Sequence, residues 1–363
     1  MKWKEQILNL HAYQPGKSID AIKREYGLER IVKLASNENP YGCSNKVTEM
    51  LNNQTTSNAL YPDGYAFDLR MSLATHFQVQ PSELIFGNGS DELIQIINSA
   101  LIKPGTNAVM ATPTFSEYQQ YTIINGGEAR EILLTDKGEH NFTEMLNVID
   151  ENTAIVWICN PNNPSGVYMK EEELVAFLEK IPNDILVVID EAYNEYVVAN
   201  DYPNTLKLLK RFKNIIMLRT FSKIYGLASF RIGYGVADPS IIKTLEPIRS
   251  PFNTNTFAQK AALAALADQE FLEQCKRKNR EELEKMYQFL ENVGLSYYPT
   301  QGNFLLVDFQ TDGDQIFQKL LQQGFIVRSG KSLGFPNSVR ITIGQAEDME
   351  ALRKAIQLIL TTV

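Results

Sequence analysis

The run Thr220-Phe-Ser-Lys-Ile-Tyr-Gly-Leu-Ala-Ser-Phe-Arg-Ile-Gly233 sets Ser222 beside Lys223, with Gly226 and Arg231 close behind. A lysine amine held in a tight apolar turn can give up its proton and attack a carbonyl carbon to form a Schiff base. The adjacent hydroxyl and guanidinium are donors that bind phosphate. Together they suit an aldehyde cofactor that carries a phosphate, held covalently by Lys223 and electrostatically by Ser222 and Arg231. Most lysines are solvated surface charges, so the weight of this segment depends on whether the chain supplies the cofactor's other contacts.

Four further pieces have suitable chemistry. Phe86-Gly-Asn-Gly-Ser-Asp91 leaves a strand and opens a helix, where the N–H groups of Ser90 and Asp91 can bind an anion. The same residues equally describe a glycine turn with a helix cap. Cys159-Asn-Pro-Asn-Asn-Pro-Ser-Gly166 follows a strand, at the edge where open α/β sheets bind ligands. Asn163 there can donate to a phenolate-like oxygen, although every residue type in the loop is also a turn former. Val187-Val-Ile-Asp-Glu-Ala-Tyr193 ends a buried strand in a carboxylate, which needs a partner. A protonated pyridine nitrogen would suit Asp190, with Tyr193 reaching the ring hydroxyl oxygen; a metal-binding or structural aspartate fits the same pattern. Arg328 and Arg340 lie in apolar, strand-like context, where an arginine fork matches a carboxylate or phosphate, or simply points outward.

These pieces must be positioned by the elements between them. Leu84–Phe86, Ala108–Ala111, Ala154–Cys159, Ile185–Ile189, Ile215–Leu218 and Ile232–Ala237 are short apolar runs, alternating with helical periodicity such as Asp91–Leu101 and Lys170–Lys180. Continuously apolar strands are buried on both faces, so the expected class is α/β, with a mainly parallel sheet between helix layers. After about residue 250 the texture changes to an alanine-rich helix (Phe257–Ala267), a long charged helix (Glu270–Glu291) and short strands at Phe304–Asp308, Phe325–Arg328 and Val339–Ile343. The expected organisation is an N-terminal arm (1–36) joining the small domain, a large cofactor-binding domain (37–255) and a smaller α+β domain (256–363).

Composition narrows the function. A chain of 363 residues with 44% hydrophobic and 21% charged residues is ordinary for a globular enzyme. A formal charge of −8 argues against a nucleic-acid or anionic-membrane surface. Three widely separated cysteines without a CxxC signal neither zinc nor a disulfide framework, so a reduced, cytoplasmic setting is expected. His11, His76 and His140 lack triad or ligand spacing, and no metal is expected. A nicotinamide enzyme is disfavoured by the missing GxGxxG, and a DNA-binding regulator by the missing basic helix-turn-helix.

The joint order of these motifs resembles the fold-type I pyridoxal-phosphate aminotransferases, and within them the histidinol-phosphate branch. The closer resemblance is carried by Leu34-Ala-Ser-Asn-Glu-Asn-Pro40, Tyr61-Pro-Asp-Gly64, Thr112-Pro-Thr-Phe-Ser-Glu-Tyr118, Asn160–Gly166, Arg219–Leu227 and Val339–Gly344, from about Tyr13 to the C-terminus. It implies pyridoxal 5'-phosphate as cofactor, with Lys223 as Schiff-base lysine and proton-transfer base. Asp190 would pair with the pyridine nitrogen, Asn163 and Tyr193 with the ring oxygen, and Ser90, Asp91, Ser222 and Arg231 with the phosphate. Phe115 would stack on the ring where family members often have tyrosine. Tyr61 would reach the cofactor of a second subunit, so a homodimer with shared sites is implied. Tyr13, Asn37, Arg328 and Arg340 fall where the family grips substrate. The implied reaction joins L-histidinol phosphate and 2-oxoglutarate; aromatic amino-acid transamination, or decarboxylation of a threonine phosphate, are alternatives on the same fold.

Overall fold

The computed structural model describes residues 1–8, 10, 23–24, 27, 30–53 and 58–361. Its strands are β1 (Val32–Lys33), β2 (Leu84–Gly87), β3 (Asn107–Thr112), β4 (Glu128–Leu133), β5 (Thr153–Cys159), β6 (Leu186–Asp190) and β7 (Ile215–Thr220). There follow β8 (Gly233–Ala237), β9 (Ser296–Tyr298), β10 (Phe304–Asp308), β11 (Phe325–Ile326), β12 (Arg328–Ser329) and β13 (Ser338–Thr342). A seven-stranded sheet runs in the order β2-β8-β7-β6-β5-β3-β4. The pairs from β7 through β4 are parallel, while β8 is antiparallel to both β7 and β2. The expected α/β class with a mainly parallel sheet is the observed one.

Period-two alternation divides the sheet into two apolar faces. Val156, Ile158, Val187, Ile189, Ile215 and Met217 pack under the helices Phe67–Phe77, Glu171–Leu178, Thr205–Arg211 and Thr256–Leu266. Ile155, Trp157, Leu186, Val188, Ile216 and Leu218 pack on the other face, against Ser90–Leu101, Glu117–Ile124 and Pro239–Leu245. β4 has no counterpart among the strands expected from sequence. It is the sheet edge and half-exposed, so its Glu-Ala-Arg-Glu-Ile-Leu sequence carries no apolar run.

The small lobe has its own core, in which Leu305, Val307, Val339 and Ile341 of an antiparallel sheet β12-β13-β10-β9 meet Leu283, Met286, Leu352 and Ile356 of two helices. β1 pairs in parallel with β11, and Leu34 joins this core, so the chain just before residue 37 is tied to the small lobe. The alanine-rich helix Thr256–Leu266 packs in the large body instead, through Ala258, Ala261, Ala262 and Ala265. The long helix Gln269–Val293 gives Leu272 and Cys275 to the large core and Leu283, Met286 and Leu290 to the small one. The change of core therefore falls within this helix and later than residue 256. Small alanine side chains let one helix lie close against its neighbours, which texture alone does not reveal.

Glu191 and Arg219 continue the alternation of β6 and β7 beyond the apolar residues, on the face of Ile189 and Met217. Glu191 is fully buried and accepts from Arg219 Nε at 3.0 Å and Nη2 at 2.8 Å. Arg219→Leu leaves an unpaired buried carboxylate and is expected to destabilise the protein by about 3–5 kcal/mol in urea unfolding. Arg211→Leu, which breaks a pair with Glu179 whose side chains are 53% and 51% exposed, should cost under ~1 kcal/mol. Equal losses in the two variants would contradict this reading.

Candidate active site

Lys223 lies three residues beyond β7, in a turn closed by Gly226 N–H donating to Lys223 O at 2.9 Å and Leu227 N–H to Phe221 O at 3.0 Å. Gly226 has φ +71°, and a Cβ there would sit 1.9 Å from Gly42 O, so the turn and the 42–43 segment approach as only glycine allows. The turn aims the lysine into a cavity of about 870 Å³ that the C-terminal ends of the strands share with the small lobe. Lys223 Nζ lies 3.4 Å from Ser36 O and 5.6 Å from the centroid of the Tyr193 ring. Burial, then the Arg340 charge, pull its amine down to about 8 from the ordinary 10.5, against the opposing pull of Asp91 and Glu38. An amine in that range is nucleophilic near neutral pH.

The cavity floor is set by strand alternation. Asp190 follows Val188 onto the cavity face, one residue before Glu191 turns to the other side. Its Oδ2 accepts from Tyr118 Oη at 2.7 Å and its Oδ1 from Ala192 N–H at 3.2 Å. Burial raises this carboxyl to about 6, and the Tyr118 hydrogen bond works against that rise. Tyr193 is buried and accepts from Asn37 Nδ2 at 3.0 Å; burial drives its phenol pKa upward. Asn37 is itself held at φ +56° by Thr342 and Asn303.

An anion cup lies at one end. Ser90 and Asp91 begin the helix Ser90–Leu101, whose first N–H groups lack partners within the helix. Arg231, at φ +56°, donates to Ser222 Oγ at 3.2 Å and to Asp91 Oδ2 at 3.0 Å. Gly89 has φ +79°, and a Cβ there would lie 2.4 Å from Arg231 Nη2, so the guanidinium rests directly on glycine backbone. At the other end Arg328 and Arg340 are directly opposite in the β12–β13 register, and both line the cavity. Arg340 donates to Asn163 Oδ1 at 2.5 Å and to Ala35 O at 2.9 Å. That fixes the Asn163 oxygen inward to the arginine and leaves its NH₂ as the end able to donate elsewhere.

Of the residues singled out in the sequence, Asn37, Ser90, Asp91, Phe115, Asn163, Asp190, Tyr193, Ser222, Lys223, Arg231, Arg328 and Arg340 all line this one cavity. Tyr61 does not: it is 82% exposed and stacks on Phe252 at 4.8 Å. Tyr13 and His11 lie outside the described residues. His140 is half-buried, with a buried ring nitrogen whose desolvation holds it down to about 4, and among the described residues no group of His, Cys, Asp and Glu is arranged for a metal. Tyr118 is the residue the sequence reading passed over. Its signal was present, since Phe115 and Tyr118 are three apart at a helix start and so share a side.

A near-neutral amine, a buried carboxylate, an anion cup and a pair of arginines in one cleft make up the equipment of amino-group transfer. The sequence pattern described as aminotransferase class I and II matches residues 29–356, and the chain belongs to that family. Its relatives include the histidinol-phosphate aminotransferases of Geobacillus sp. (strain WCH70), 55% identical over 99% of this chain and 98% of that one, and of Bacillus subtilis (strain 168), 52% identical over 99% and 100%. Among solved structures, the histidinol-phosphate aminotransferase of Sinorhizobium meliloti in complex with pyridoxal-5'-phosphate superposes with a TM-score of 0.89. It is 26% identical, covering 99% of this chain and 98% of that one.

The depressed amine makes a direct prediction. Lys223 is neutral above about pH 8 and protonated below it. Reductive methylation of the cofactor-free protein, followed by peptide mass spectrometry, should therefore show half-maximal modification of Lys223 near pH 8. Exposed lysines should react half-maximally above pH 10, near the ordinary lysine value of about 10.4. A Lys223 profile coincident with theirs would refute the assignment.

Proposed function

We propose that the protein is a pyridoxal-phosphate-dependent transaminase that passes the amino group of L-histidinol phosphate to 2-oxoglutarate, forming imidazole-acetol phosphate and L-glutamate. One observation carries the cofactor reading: the anion cup, the buried carboxylate and the Lys223 amine all line one cavity, and they are the groups that the phosphate, ring nitrogen and aldehyde of that cofactor call for. The residues fit the group. Ser90, Asp91, Ser222 and Arg231 would hold the phosphate, Asp190 would pair with the ring nitrogen, Asn163 and Tyr193 would hold the ring oxygen, and Phe115 would cover the ring face. The bound cofactor supplies an electron sink for the pair left when a substrate Cα–H bond breaks. Lys223 takes the proton from the substrate Cα and returns it, a task suited to an amine near neutral pKa.

The substrate reading is supported by the arginine pair. Arg328 and Arg340 stand opposite each other in register and both line the cavity, and an arginine fork matches both a phosphate and the carboxylates of glutamate and 2-oxoglutarate. Asn37, and Tyr13 by its place in the motif order, complete the substrate side. One pocket thus serves both half-reactions.

The protein acts as a homodimer with shared sites. Leu60, Tyr61, Tyr65 and Phe67 are 73%, 82%, 69% and 60% exposed, and Phe252 beside them 44%, an apolar face that a second copy would cover. Three free cysteines are consistent with a cytoplasmic setting, and among the described residues no helix is long and apolar enough to cross a membrane.

Three results test this. Histidinol phosphate should bleach the absorbance of the bound cofactor and 2-oxoglutarate restore it; release of carbon dioxide, or reaction with aromatic amino acids alone, would overturn the substrate reading. Arg340→Ala should lower kcat/KM about 10- to 100-fold for both substrates, the worth of roughly 1.5–3 kcal/mol for hydrogen bonds to a charged group. Lys223→Ala and Tyr61→Ala, each inactive alone, should regain activity when mixed and reassembled; no recovery in dimers of verified mixed composition would remove the shared-site proposal.

A further inference from the structure

Asp190 is 4% exposed, and its burial together with two neighbouring carboxylates disfavours its ionised form. Cys159 of β5 stands opposite it in register, with a thiol that burial pushes up to about 12 and so keeps neutral. Asp91, from the start of the helix Ser90–Leu101, and Glu191, next in the chain, bring further negative charge. Tyr193, two residues past Glu191, is a buried phenol engaged with Asn37. Against these stand two hydrogen bonds to its carboxylate, from Ala192 N–H and from the Tyr118 hydroxyl at 2.7 Å, while the cations Lys223 and Arg231 line the same cavity.

The Tyr118 ring has little freedom. It is fully buried and stacks on Trp157 with centroids 4.7 Å apart and planes 9° from parallel. Phe115 meets it edge to face at 5.6 Å and 78°. Two aromatic neighbours on two sides define the ring plane, and the phenol oxygen falls on Asp190 Oδ2 as a consequence. The same four-residue segment therefore carries both the aromatic ring proposed to cover the cofactor and the donor to the carboxylate beneath it.

We propose that Tyr118 is a positioning residue for amino transfer: its hydroxyl holds Asp190 ionised and aimed, and through Asp190 governs the protonation of the cofactor's ring nitrogen. The inference rests on the reading of Asp190 as the partner of that nitrogen. A hydrogen bond to an ionised carboxylate favours the charged form, so its removal shifts the carboxyl toward protonation. The shift expected from losing one such bond is about one pH unit, equivalent to a tenfold change in the ionisation equilibrium.

The test is the dissociation constant of pyridoxal phosphate, measured by fluorescence from pH 5 to 9 for the wild type, Tyr118→Phe and Asp190→Asn. The free cofactor's own titrations are common to all three, so differences between the profiles report the bound state. In the wild type, affinity should fall as pH drops through the range where Asp190 protonates. Tyr118→Phe should move that fall upward by about one pH unit, with little change at pH 9, and Asp190→Asn should abolish it. A uniform weakening of Tyr118→Phe at every pH, or no change at all, beside a flattened Asp190→Asn profile, overturns the role of Tyr118 while leaving that of Asp190 intact. A wild-type profile in Asp190→Asn overturns the reading of Asp190 itself. Should Tyr118→Phe melt too low to measure, 3-fluorotyrosine at position 118 keeps the shape with a stronger donor. It should move the midpoint downward, and an unmoved midpoint counts against the proposal.

Discussion

The buried ion pair between Glu191 and Arg219 fastens the two strand ends on which the site depends. Glu191 directly follows Asp190 at the end of β6, and Arg219 stands four residues before Lys223 near the end of β7. A charge pair in a dry interior costs desolvation, and it is tolerable only with its remaining lone pairs satisfied. Thr205 Oγ donates to Glu191 Oε1 at 2.5 Å, and the Arg219 guanidinium lies over the Phe77 ring at 5.4 Å. Glu195, also near the arginine, is pushed up to about 7 by burial, against the pull of the Arg219 charge. The reward is geometric: β6 and β7 cannot slide past each other without parting the pair.

From that anchor, alternation distributes the chemistry. Asp190 and Glu191 are neighbours in sequence with identical functional groups, yet a strand sends them to opposite faces. One meets an arginine and becomes structural. The other meets a phenol, a thiol and an open cavity, and its carboxyl rises to about 6. The lysine amine falls to about 8 in the same cavity. Two titratable groups moved toward neutrality by burial at the mouth of a parallel sheet are a reasonable mark of a working site.

The small lobe supplies what the sheet cannot. β12 and β13 set Arg328 and Arg340 side by side, and Arg340 reaches across to Asn163 of the large body. The residues proposed to hold the cofactor come largely from one body, and those proposed to grip substrate largely from the other. Asn37 ties the two, bonding to Tyr193 on one side and Thr342 on the other.

Much of this was readable from residue types and order. Apolar runs without alternation announced buried parallel strands, and the Ser222-Lys223 turn, the Gly89-Ser90-Asp91 helix start and the strand-end Asp190 each carried local signals of turn, cap or buried charge. β4 escaped because an edge strand need not be apolar, and the helix Thr256–Leu266 joined the large core because alanine packs closely without advertising where. Tyr118 escaped because a tyrosine in a helix is usually only a large side chain; its role comes from Trp157, 39 residues away, and from Asp190, 72 residues away. Local sequence determines backbone conformation, strand burial and the chemical groups available, since these depend on neighbours in the chain. Which carboxylate is neutralised, which amine is depressed and which arginines stand together depends on contacts between distant segments, and only the packed structure decides them.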